Sequence, residues 1–561
     1  MHELIVKDAV VVDGQGNAPL VADIAVNEGR IVDIGRIAEP ARHTYDAAGL
    51  TLAPGIIDLH THYDAQLTWD PTASPSPSLG VTTIVVGNCG FGIAPCPPEL
   101  RALVAANLSV VEGMSLAALE AGVEWGFETF PQYLDFLRAK QPVPNVAAFV
   151  GHSPVRTAVM GAEGSERAAT DDEIVTMKAI VTEAITAGAI GFASSVGINH
   201  IGHGGVPMPS RLADYNELST LVGVLGEAGR GVFHIGAGDG ERLGIDHLEG
   251  LAHATGRPVV FSPVFHNPAF PERAGERLES CGPAHGRGAE IYGQVSCQPL
   301  SHDFTLANAY LMYSLDSWTG LHSADAKTLS RAFRDPAFRD RYRAGFDNPK
   351  TGLIFYGDWT KVDVATCARV ENRSLEGRSI AEIAADRGAD PVDVFFDIAL
   401  SENLETGFNA KVMNSDDAAV SRLIASKYAV IAQSDAGAHL DYFCDAGYGL
   451  YMLAHWVRDL GMIDLVEAVR RLTSVPADLY RIPDRGRIVV GAHADFILFD
   501  PARVGITNSR RVPDFPSGAS RLVRDPTGLD GVWVNGIPVF DGSDYVAEGR
   551  ATGHVLDRFN I

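Results

Sequence analysis

One stretch constrains this chain more than any other: Pro54-Gly55-Ile56-Ile57-Asp58-Leu59-His60-Thr61-His62-Tyr63-Asp64. Its apolar run, opened by Pro-Gly, reads as a short buried strand. Alternate side chains of a strand share a face, so His60 and His62 converge where this one runs out. Paired imidazoles of that kind suit a divalent metal such as zinc. A bare His-x-His is otherwise an ordinary loop pair, so the rest of the chain has to decide between the two readings.

From about residue 55 to 480, strand-like and helix-like stretches alternate, as in parallel βα units. Eight core strands are expected, around 56–59, 82–86, 146–150, 189–193, 231–234, 258–262, 290–295 and 428–433. Eight such units make a (β/α)8 TIM-type barrel, with its site at the C-terminal strand ends. Thr170-Asp-Asp-Glu173 is a capping box for a helix that can run to Gly188. Ser379-Ile-Ala-Glu382 is a second, stopped by Gly388, and Asp390-Pro391 opens the next helix. Arg242–Thr255 and Leu465–Leu472 are further helical candidates. The interval from about 297 to 427 breaks the rhythm and reads as a helical, lid-like insertion near the barrel mouth. Both ends of the chain hold short β-like runs separated by Gly and Asn turns. Residues 1–54 and 481–561 are therefore expected to pair into one small composite β-sandwich beside a barrel spanning 55–480.

Each expected barrel strand finishes near a polar or reactive residue. They are His60 and His62, Asn88 and Cys89, His152, Ser194 and Ser195, His234, His266, Ser296 and Cys297, and Asp435. Cys89, as a thiolate, would bind a borderline metal such as zinc tightly. Six cysteines in 561 residues do not form a disulfide framework. A lone aspartate in a turn is usually a cap, but Asp435 follows an apolar strand at the eighth position. Gly236-Ala-Gly-Asp-Gly240 lacks dinucleotide-loop spacing, and no Gly-x-Ser-x-Gly elbow or Walker loop occurs.

Pro-Gly, an apolar strand and Asp-x-His-x-His together resemble the opening signature of the amidohydrolase superfamily of metal-dependent hydrolases. The strand Gly80-Val-Thr-Thr-Ile-Val-Val-Gly-Asn-Cys-Gly90 resembles one branch of it, the N-acyl-D-amino-acid deacylases, in which a cysteine helps hold the metal. The likeness covers most of the chain. It implies one or two Zn2+ ions per chain, held by His60, His62, Cys89 and His234. His266 is the further expected ligand, displaced by two or three residues from the family's Ser-His-His run. Relatives with two metals often bridge them with a carboxylated lysine. Gly191-Phe-Ala-Ser-Ser195 offers no lysine at its end, which leaves that role to Cys89. Asp435 matches the family's general base, and His439 follows it at nearly the family spacing as a substrate contact. Gly151-His-Ser-Pro-Val-Arg156 resembles a Gly-His-x-x-x-Arg segment of the same branch. That likeness gives His152 a role in polarising the substrate carbonyl or in supporting the metal ligands. Arg156 and Ser195 are assigned to the substrate side, with a structural role for Arg156 left open.

The implied activity is zinc-dependent hydrolysis of a linear amide in N-acyl-D-amino acids or related N-acyl compounds. Two alternatives stay open: another amidohydrolase acting on cyclic amides, formamides or carbamates, and a metal-free scaffold. A net charge of -25 argues against nucleic acid or an anionic membrane as partner. It does not exclude an anionic small substrate, because a metal makes a site locally positive. The N-terminus lacks a secretory pattern and no apolar run reaches about 18 residues, so a cytoplasmic protein without a membrane span is expected. Whether it forms a homo-oligomer is not legible.

Overall fold

The computed structural model describes residues 1–560 apart from 237–243, 313–314, 322–323, 348–354, 441 and 547–550. Eight parallel strands lie side by side in chain order. They are β1 (Ile56–Asp58), β2 (Val81–Val86), β3 (Asn145–Gly151), β4 (Gly191–Ser195), β5 (Val232–Gly236), β6 (Val259–Val264), β7 (Ile291–Val295) and β8 (Ala429–Ile431). Each expected core strand is present within a few residues. Past their ends the first and last meet: Thr61 bridges Ala436 in parallel, and His62 N–H donates to Ala436 O at 2.7 Å. The architecture is the (β/α)8 TIM-type fold.

Period-two alternation sorts the strand residues into two cores. Ile57, Val85, Phe149, Val232, Val260 and Val430 pack together with the helix Ser474–Leu479. Their neighbours Ile56, Ile84, Val150, Phe233, Phe261 and Ile431 belong to the larger core shared with the surrounding helices. Strands covered on both faces read as continuous apolar runs, which is why they were visible without an alternating pattern.

Helix caps fall where local chemistry places them. The Thr170/Glu173 box opens Asp171–Ala187, and Gly188 closes it with φ 112°. Ser379 and Glu382 box Ile380–Arg387, and Asp390 caps Pro391–Ser401. Leu465–Leu472 is helical as expected. Ile245–Thr255 is helical too, while the expected start at Arg242 lies outside the described residues.

The interval between β7 and β8 is not purely helical, which corrects the sequence expectation. It contains a three-stranded antiparallel sheet in the order Leu300–Phe304, Gly407–Met413, Val362–Thr366, along with helices such as Ala326–Arg334 and Pro336–Ala344. Trp318, Phe333, Tyr342, Phe395 and Phe396 anchor a core of its own. The strand Leu300-Ser-His-Asp-Phe304 carries three polar residues in five, so its propensity gives no strand signal. This unit is tied to the loops that follow the barrel strands. Asn414 bonds the backbone of His266 and, through Nδ2, Ser296 O, while Asp303 N–H donates to Tyr442 O.

Strands from both ends of the chain pair into one eight-stranded sheet, where Thr51–Pro54 runs antiparallel to Phe496–Phe499. Leu4, Val6, Ile24, Phe496, Leu498 and Trp533 share its buried side.

Candidate metal centre

β1 ends at Asp58, and His60 and His62 follow two and four residues later. Their rings lie 5.2 Å apart between centroids. Cys89 reaches them from the turn after β2, which needs three left-handed residues within four: Gly87 (φ 80°), Cys89 (φ 54°) and Gly90 (φ 72°), with Asn88 between the first two. Asn88 locks this turn by donating from Nδ2 to Val85 O at 2.8 Å. Gly90 has no room for a side chain, since a Cβ would stand 2.6 Å from Ser194 Cα and 2.7 Å from Ala193 O. Gly90→Ala is accordingly expected to cost roughly 1–3 kcal/mol and to displace Cys89. Denaturant unfolding together with zinc content after purification checks both effects, and an unchanged midpoint would contradict this packing.

The ligand atoms of His60, His62 and Cys89 all lie within 4.8 Å of one another, the only such grouping of His, Cys, Asp or Glu among the described residues. Cys89 Sγ is 3.5 Å from His60 Nε2. Asp435, arriving from beyond β8 with φ 46°, adds a carboxylate: its Oδ1 is 3.3 Å from His60 Nε2 and 3.7 Å from His62 Nε2. Two imidazole nitrogens, a thiol and a carboxylate thus face one point. Asp435 is 17% exposed, against 1% and 6% for the two histidines, so it forms the open side of the cluster.

The electrostatics fit a cation. Burial alone would raise Cys89 and Asp435, yet His60 and His62 outweigh it and hold both below their usual ranges. Burial alone would lower the two histidines, but the nearby anions outweigh it, chiefly Cys89 for His60 and Glu112 for His62, and raise both. Cationic and anionic donors thus stabilise one another across the cluster. A divalent ion binds the deprotonated forms of these donors, so the set suits one such ion.

The other expected residues are distributed around this core. His234, within β5, has its ring 5.1 Å from that of His60. Burial and the two charged histidines push it well below its usual value, so it is neutral. Its Nε2 pairs with Ser262 Oγ at 3.0 Å, and its buried Nδ1 has no hydrogen-bond partner. His266 is not brought to the cluster. Its backbone is bonded to Asn414, and its charged neighbours are Asp416, Arg422 and Glu272. The reason is register: β6 sets Val260 against His234 and Ser262 against Gly236, so that Ser262 Oγ reaches His234, while His266 lies two residues beyond the strand end.

His152 and Arg156 sit on the helix His152–Met160 and are wholly buried. Both His152 nitrogens are engaged, Nδ1 with Ser194 Oγ and Nε2 with Glu217 Oε1, each at 2.8 Å. Arg156 donates to Glu217 and to the carbonyls of Gly164 and Arg167. These contacts are those of a scaffold behind the rim. Ser195 Oγ pairs with His200 Nδ1 at 2.5 Å, and burial first of all pushes His200 down to about 4. His439 has φ 54° and contacts Tyr442 OH through Nδ1 at 3.2 Å. Ser296 donates from Oγ to Gln298 O, and Cys297 from Sγ to Tyr448 O.

Sequence reasoning missed Glu112, Gln294, Glu217 and His200. Glu112 had a legible signal: a carboxylate at the C-terminus of an apolar helix, where the helix dipole opposes it. Gln294, the penultimate residue of β7, is a polar side chain inside an apolar strand.

The model of the amidohydrolase family matches residues 43–540. The chain is 29% identical to a D-aminoacylase of Alcaligenes xylosoxydans xylosoxydans over 562 residues, covering 99% of this chain and 98% of the relative. Among solved structures, a D-aminoacylase studied for its binuclear metal centre superposes with a TM-score of 0.66 at 26% identity, with both chains covered in full. An N-acyl-D-glutamate deacylase from Bordetella bronchiseptica, solved with zinc and a phosphonate inhibitor, gives 0.65 at 26% identity over 99% of this chain and all of the other. With its barrel, its rim of converging donors and a family match spanning most of its length, this chain belongs to the amidohydrolase family.

Proposed function

We propose that this metal-dependent hydrolase cleaves the linear amide bond of N-acyl-D-amino acids or closely related N-acyl compounds, with zinc as its ion. The observation that carries the reading is the convergence of His60 Nε2, His62 Nε2, Cys89 Sγ and Asp435 Oδ1 on one point at the barrel rim. A mixed nitrogen, sulfur and oxygen set favours a borderline ion, and the deacylase relative was solved with zinc. His234 is neutral and has a free buried Nδ1, which makes it available to the ion or to a substrate carbonyl. When bound, such a metal supplies Lewis acidity that polarises a carbonyl and acidifies water.

The remaining work falls to the chain's own groups. Asp435, held ionised by His60 and His62 and open to solvent, accepts the proton of the attacking water and returns it to the leaving nitrogen. His439, steadied by Tyr442, serves as a substrate contact beside Asp435, and Ser195, paired with His200, is a second one. His152 and Arg156 hold the rim through Glu217.

Steady-state assays on N-acetyl-D-amino acids, their L-enantiomers, hydantoins and formamides test this. Hydrolysis of the D-compounds is expected, abolished by a zinc chelator and restored by zinc. Preferential turnover of hydantoins or formamides would move the assignment to the rival amidohydrolase activity. Less than about half a zinc per chain after metal-replete growth, with no turnover, would favour an inactive scaffold.

A further inference from the structure

We propose that Glu112 and Gln294 are positioning residues that fix which nitrogen His62 and His60 turn toward the cluster. The inference rests on the metal-centre reading above and extends it to two residues that no comparison assigns. His60 Nδ1 is 2.6 Å from Gln294 Oε1. An amide oxygen only accepts, so His60 Nδ1 carries the hydrogen. At its other end Gln294 Nε2 donates to Tyr480 OH at 3.1 Å. When His60 gives up a proton to bind a metal, the lone pair is then on Nε2, the nitrogen facing Cys89 Sγ and Asp435 Oδ1.

His62 reaches the same state through a carboxylate. Its Nδ1 lies 3.0 Å from Glu112 Oε1, and a lone pair there would confront an anion, so the hydrogen sits on that side. Nε2 is left facing Asp435. Glu112 follows the helix Arg101–Val111 directly, a place where the dipole disfavours a carboxylate, and it is only 3% exposed. Nothing about the helix itself accounts for an acid there, whereas His62 does. The backbone of Glu112 also accepts His439 N–H at 2.5 Å, so one residue holds the first strand's histidine and the loop after β8 in a common frame. Such partners fix the tautomer and ring orientation of a ligating histidine, and losing one typically weakens metal binding by about 10- to 100-fold.

The test uses the full chain as Glu112→Gln, Glu112→Asp and Gln294→Leu. Zinc affinity is measured by chelator competition, and the visible absorption of the Co2+-loaded protein is recorded for each. Glu112→Gln and Gln294→Leu are expected to bind zinc about 10- to 100-fold more weakly and to alter the cobalt spectrum, with the melting of the metal-free protein unchanged. Glu112→Asp, which keeps a carboxylate, is expected to recover part of the loss. A merely structural role would lower the melting temperature and leave the cobalt spectrum as it is. Affinities within about twofold of wild type in both Glu112→Gln and Gln294→Leu, with an unaltered spectrum, overturn the proposal and leave the metal-centre reading standing. Failure of the wild type to bind zinc overturns both. If Gln294→Leu does not fold, the near-isosteric Glu112→Gln decides by the same criteria.

Discussion

Asp435→Asn is expected to lower kcat/KM for an N-acyl-D-amino acid by about 10²–10⁴-fold, the usual worth of a positioned general base. The carboxylate is the only acidic group that faces both His60 Nε2 and His62 Nε2 among the described residues, and it is more open than either histidine. Asparagine keeps the shape and one acceptor oxygen but cannot take up a proton. The two imidazoles hold Asp435 well below the usual carboxylate range, so it remains ionised throughout the neutral range. The lost rate should therefore not return on raising the pH. Parallel zinc analysis separates the two functions of the residue. Retained zinc with lost turnover points to proton transfer, and zinc lost in proportion to activity makes Asp435 chiefly a ligand. Activity within about tenfold of wild type, with zinc retained, would remove Asp435 from the reaction.

The largest effect on stability is expected at a site remote from the chemistry. Arg485 and Asp495 form an ion pair with side chains only 2% and 3% exposed. Asp495 also accepts Asn535 N–H at 2.8 Å and, on its other oxygen, Asn145 Nδ2 at 3.3 Å. Asn535 in turn donates to Asn145 Oδ1 and to Thr552 O. Asn145 opens β3, so this node fastens the sheet built from both chain ends to the base of the barrel. Asp495→Leu leaves the Arg485 guanidinium buried without its counter-charge, at a cost of about 3–5 kcal/mol. Adding Arg485→Met should restore much of that, because a buried pair replaced by apolar groups is often neutral. Denaturant midpoints of the two single variants and the double variant make the measurement, as a double-mutant cycle. A cost below about 1 kcal/mol for Asp495→Leu would show that water or another anion reaches Arg485.

By itself, the sequence determined the elements and the chemistry of the donors. Strands such as Val81–Val86 and caps such as Thr170/Glu173 are set by neighbours a few residues apart, and side-chain periodicity and capping act over just that range. His60, His62, Cys89 and Asp435 were recognisable because each sits at a strand end, and strand ends share one rim in a parallel barrel. Tertiary structure alone decided which candidates meet. His266 had the right residue type, but β6 extends far enough for Ser262 Oγ to reach His234, leaving His266 to dock on Asn414. His152 likewise had a rim position, yet Glu217, contributed by the helix Tyr215–Ala228, occupies its second nitrogen. The nitrogen that His60 presents depends on Gln294, 234 residues away. Such orientations arise from contacts between elements, and no pattern within a few residues of a histidine encodes which of its two nitrogens will face the site.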